Sequence, residues 1–140
     1  MISISLARQL RDAGLRWEPA SGDQFVIPDR DMDDRVFSIS EMTIDVRPSP
    51  VGRLIAFNGT VEWALDAIMQ REVIWLPSEG QLRALLGERF IALEATDTGV
   101  RCVVDFDGHR MEYRDAEAAN AYGRAVLHGL LHGMHVEMNV

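Results

Sequence analysis

The chain has 140 residues, 47% of them apolar and 26% charged, the size and make-up of one globular domain able to bury its own core. Its net charge of −8 repels phosphate backbones, which weighs against a nucleic-acid partner, and it has no run of about 18 apolar residues with which to span a membrane. All 14 basic residues are arginine, which excludes the chemistries that require a lysine amine: P-loop phosphate binding, Schiff-base catalysis and protein-kinase phosphoryl transfer.

The start, Met1-Ile2-Ser3-Ile4-Ser5-Leu6-Ala7-Arg8, lacks the basic region and apolar run of a secretory signal. The single cysteine, Cys102, cannot form an internal disulfide. The cytoplasm is the expected compartment. Leu6, Leu10 and Ala13 recur at helical spacing, so a helix is predicted from about Ser3 to Ala13, with Gly14 as its stop and Leu15 packing back. Arg8, Arg11 and Arg16 form the nearest basic patch. Asp12 interrupts it, and it reads as a solvated helix face.

Trp17 precedes a turn-rich stretch, Pro19-Ala20-Ser21-Gly22-Asp23. Short strands are expected at Gln24–Ile27 and Val36–Ile39, with the acidic loop Asp29–Asp34 between them. That loop begins like a calcium loop, but Asp34 and Ser40 stand where an EF-hand needs Gly and Glu; a solvated turn is the better reading. Met42, Ile44 and Val46 alternate with polar residues as in a half-buried strand. Pro48–Gly52 turns the chain, and Leu54–Phe57 returns. Thr60 can cap a short helix to about Met69, and Val73–Leu76 is a short apolar strand.

Ser78 and Gln81 have the spacing of a capping box, which predicts a helix over Glu79–Leu86 with Leu82, Leu85 and Leu86 inward and Gly87 at its end. Phe90–Ala95, Val100–Phe106 and Arg110–Tyr113 then form a meander, its turns at Thr98-Gly99 and Asp107-Gly108. Asp115 caps the last helix, which runs to about His132. The fold class is α+β: one domain over 1–132, an antiparallel sheet built from two strand-rich halves and covered by about four helices, followed by a C-terminal tail over 133–140.

Four groups of residues could carry function. His128-x3-His132-x2-His135 places three imidazoles within about 60° on one helix face, and i,i+4 histidines can share a Zn ion. Gly129 stands where a zincin needs Glu, so no protease follows. These histidines point away from Ala119, Tyr122, Val126 and Leu130 and are expected to be exposed; they also suit the negative helix end. Leu127 and Leu131 lie off that main apolar face. Gly123, Gly129 and Gly133 permit close backbone approach, so the helix is expected to be covered on a second side, by a wide core stripe or by a homodimer partner. Trp17, Trp63 and Trp75 fit a core, or a ligand platform if two share a groove. Glu62, Asp66, Glu72 and Glu79 lie near the central helices, where a carboxylate pair would permit acid–base hydrolysis. No G-x-S-x-G, G-x-G-x-x-G or Nudix helix is present, and Cys102 reads as a small buried hydrophobe.

Leu6–Trp17, Thr60–Leu65, Trp75–Gly87 and Ala118–Leu127 together resemble a set of small uncharacterised bacterial and phage-associated proteins, some of which carry a pilus-assembly label. That label implies an ATPase, for which this chain lacks both the length and the P-loop lysine. The resemblance supplies no catalytic residues. The first expectation is a non-enzymatic binding or adaptor protein without a cofactor, paired with a second copy or another protein partner. A small-molecule hydrolase and a Zn-binding protein are the alternatives.

Overall fold

The computed structural model describes residues 1–26, 36–38, 43–49, 52–58, 68–69 and 73–133. In chain order the elements are α1 (Ile4–Asp12), β1 (Gln24–Val26), β2 (Phe37–Ser38), β3 (Thr43–Ser49), β4 (Gly52–Asn58), β5 (Ile68–Met69) and β6 (Ile74–Leu76). They continue with α2 (Glu79–Leu86), a 3-10 turn (Gly87–Arg89), β7 (Phe90–Thr96), β8 (Gly99–Phe106), β9 (His109–Asp115) and α3 (Ala118–Leu131). The fold is α+β. Its described helices are three α-helices and the 3-10 turn, against the four helices expected. The chain forms two compact units, Met1–Glu18 with Leu76–Val140, and Pro19–Trp75. The first unit is discontinuous in sequence.

In the first unit, α1 begins where the Ser3 side chain accepts the Leu6 N–H and ends at Gly14, with φ 104°. Leu15 N–H donates to Leu10 and Gly14 N–H to Arg11, the paired bonds of a Schellman cap. The α2 capping box forms as expected: Ser78 N–H donates to Gln81 Oε1 at 2.9 Å and Gln81 N–H to Ser78 Oγ at 3.2 Å. The meander pairs β7–β8 and β8–β9 antiparallel. Asp107 and Gly108 both have positive φ, as a type I′ hairpin turn requires. Register shifts between Phe90 and Ala92. The extra residue of this bulge is Ile91, 42% exposed.

The core of this unit comes from both sides of α3. Ala119, Tyr122 and Val126 are buried, and so are Ala121 and Ala125. Leu10, Leu82, Leu86, Val103 and Val104 are fully buried, each worth about 1.5–3 kcal/mol of transfer free energy. Arg83 lies over the Phe90 ring, 4.5 Å from its centroid, and Phe90 lies 5.6 Å from Tyr122. These contacts join α2, β7 and α3.

Asp115 corrects the sequence reading of the last helix. It ends β9 rather than standing at the N-cap, and the helix opens at Ala118 after Glu117, whose side chain makes no cap bond. The Asp115 carboxylate still serves the helix start, because its Oδ1 accepts the Glu117 N–H at 3.0 Å.

In the second unit, one sheet has the order β2-β1-β6 and another the order β3-β4-β5. β3 and β4 pair antiparallel from Thr43↔Asn58 to Ser49↔Gly52. The strands therefore run further than the alternation implied, carrying Arg47, Pro48 and Ser49 in the ladder. Ile68 and Met69 pair with Ile55 and Leu54. That corrects the helix predicted to reach Met69: its end is strand, and 60–67 lie outside the described residues. So does the acidic loop Asp29–Asp34. A turn over Ala20–Asp23 forms as expected, with Asp23 Oδ2 accepting the Ala20 N–H at 3.0 Å. Among the described residues, no helix is long and apolar enough to cross a membrane.

Candidate functional site

The first unit carries an open groove of about 550 Å³ between α1, α3 and the end of β9. From α1 and its cap come Ser3, Ser5, Leu6 and Gln9; β9 supplies Tyr113 and Asp115. From α3 come Asn120, Arg124, Leu127, His128, Leu131 and His132. On α3 these follow helical spacing. Residues 120, 124, 128 and 132 make one polar stripe, and Leu127 and Leu131 make an apolar ridge beside it.

Gly123 explains how α1 comes close enough to form the wall. A Cβ there would stand 2.8 Å from Leu6 Cδ2 and 3.1 Å from Ile2 Cδ1. The second cover expected for α3 is thus supplied within the chain, by α1. Leu127 is half-buried as a result, whereas Leu131 remains 65% exposed.

Asp115 holds one end of the groove together. Its carboxylate accepts from Glu117 N–H, from Asn120 Nδ2 at 3.3 Å and from Arg124 Nε at 3.2 Å. Asn120 Oδ1 in turn accepts the Ser3 N–H at 2.9 Å, tying the start of α1 to α3. The Glu117 N–H is the chief cause holding the Asp115 carboxyl below its ordinary value. Partial burial opposes it, and Asn120 and Arg124 add to the lowering.

An Asp115→Ala variant is therefore expected to lose about 1–2 kcal/mol at neutral pH. The Arg124 pair adds little to this, because that side chain is 56% exposed. A lowered folded pKa stabilises above the unfolded value, and that stabilisation disappears as pH falls through the folded value. Thermal midpoints of the two proteins should converge below the carboxylate range; a gap that persisted there would contradict this assignment.

At the other end, His128 is not exposed as the helical wheel implied. It is half-buried, with Phe106 nearly parallel at 5.7 Å and Tyr113 edge-on at 5.5 Å. Burial lowers its pKa, and the neighbouring His132 lowers it further. His132 is exposed, and the two ring centroids are 4.3 Å apart. His135 lies outside the described residues. Among the described residues, no group of three His, Cys, Asp or Glu comes together.

The other sequence candidates fall elsewhere. Trp17 is buried at 6% and Trp75 at 7% exposure, and neither lines this groove. The Trp75 indole N–H is buried and has no hydrogen-bond partner among the described residues. Trp63 and the carboxylates Glu62, Asp66 and Glu72 lie outside the described residues; Glu79 is exposed in the first turn of α2. Cys102 is fully buried, and burial pushes its thiol up to about 11. Arg8 and Arg16 are exposed, and Arg11 pairs with Asp12 at 3.1 Å.

Sequence reasoning missed Tyr113, Asp115, Asn120 and Arg124 as groove residues. The i,i+4 repeat Arg124-x3-His128-x3-His132 was the available signal. No family model, no curated protein and no solved structure matches this chain.

Proposed function

We propose that this chain is a non-enzymatic binding or adaptor protein that pairs with a second copy of itself along α3. Leu131 is the observation that carries the reading. It is a large aliphatic side chain, 65% exposed, on a helix otherwise covered from two sides. With Leu127 it forms an i,i+4 ridge, and around a twofold axis one such ridge can pack against its own copy. The rim of Arg124, Asn120, Gln9 and Ser5 has the polar character of an interface edge.

Two of the groove's ionisable groups, Asp115 and Tyr113, suit recognition better than proton transfer. Asp115 is kept charged by three donors. Burial pushes the Tyr113 hydroxyl up to about 12, far from the range in which a general acid or base works at neutral pH. A single buried thiol, Cys102, suits a reducing cytoplasm.

Light scattering between low and high micromolar concentration tests the pairing. The wild type should give a dimer mass with a thermal midpoint that rises with protein concentration, and Leu131→Glu a folded monomer whose midpoint does not. A wild type that stays monomeric across that range overturns the proposal.

A further inference from the structure

His128 and His132 stand one helical turn apart on α3, with ring centroids 4.3 Å apart and planes inclined by 39°. The His128 ring is held in place by its contacts with Phe106 and Tyr113. It therefore presents a fixed direction into the groove, and His132 is free to adjust from the exposed side. Two imidazoles bound to one ion at ~2.0–2.1 Å place their ring centres roughly 4.5 Å apart for a cis angle near 90°, and above 5 Å for a tetrahedral angle. The observed 4.3 Å is close enough for both rings to reach one ion once the exposed His132 ring turns toward it.

We propose that His128 and His132 form a two-imidazole site for a divalent transition ion, with Cu²⁺ ahead of Ni²⁺ and Zn²⁺. Imidazole suits zinc, copper and nickel alike, and affinity rises to its maximum at Cu²⁺ along the divalent series. Water fills the remaining positions, which the open groove admits. With two protein ligands, the affinity falls in the micromolar range rather than that of a structural zinc site.

The test titrates the full chain with CuCl₂, NiSO₄ or ZnSO₄ by calorimetry, alongside His128→Ala, His132→Ala and His135→Ala. The expected result is one ion per chain, with Cu²⁺ tightest. Affinity should fall at least ~10-fold in each of the first two variants and change less than ~3-fold in the third. His132 is exposed, so His132→Ala retains the fold and keeps the test open if His128→Ala disturbs the aromatic packing. Loss confined to His135→Ala, binding indifferent to His132→Ala, or Zn²⁺ bound most tightly would each overturn the proposal.

Discussion

Gly99→Ala is expected to lower stability by about 3 kcal/mol, a cost at the upper end for overpacking. A Cβ at this position would stand 2.4 Å from the Asp115 carbonyl oxygen and 2.6 Å from Ala116 Cα. Both are backbone atoms, so no rotamer change relieves the clash. The neighbouring pair Val100↔Asp115 opens the β8–β9 ladder. Moving the backbone away breaks that pair and displaces the carboxylate that starts α3. The thermal midpoint should fall by roughly 10 °C, with the denaturant slope unchanged because the same surface is exposed on unfolding. A midpoint within a degree or two of wild type would show that the backbone crossing is not as close as described.

Gly123→Leu should cost a similar amount, about 3 kcal/mol, by a different route. The atoms it meets are the flexible ends of Leu6 and Ile2. Alanine is therefore tolerable there, its helix propensity gain of about 1 kcal/mol offsetting the squeeze. Leucine carries three further carbons into a contact that is already full, and α1 must lift from α3. Ile2 and Leu6, now 3% and 8% exposed, would return to water. Hydrogen exchange should show α1 losing protection while β8 keeps it. Protection retained in α1 would mean that its seat on α3 does not depend on Gly123.

These two glycines also show what a sequence can and cannot disclose. The caps were legible because they are local: Ser78 with Gln81, and Gly14 with Leu15, state their geometry within a few residues. The Asp107-Gly108 turn was legible for the same reason. The glycines of the last helix hinted at a close neighbour, but its identity as α1 depends on a contact from Ile2 and Leu6 to residue 123, across most of the chain. Spacing along a helix carries no record of that contact.

His128 was misplaced for the same reason. A wheel puts it on the polar side of α3, but the wheel does not include Phe106 and Tyr113, which the meander brings alongside it. Asp115 was recognised as an anchor of the last helix but assigned the wrong position in it. A carboxylate can reach a helix N–H from the end of a strand as readily as from the cap itself. Ile68 and Met69 favoured helix by local pattern, and strand pairing with β4 overrode it.

The most direct test of pairing along α3 places the photo-crosslinking residue p-benzoyl-phenylalanine at position 131. The purified protein is irradiated at micromolar concentration, and the joined peptides are sequenced by mass spectrometry. A covalent dimer whose cross-links fall on α1 or α3 of the second copy is the expected result. Irradiation that yields only monomer, or dimers joined through the β7–β9 meander, would contradict it.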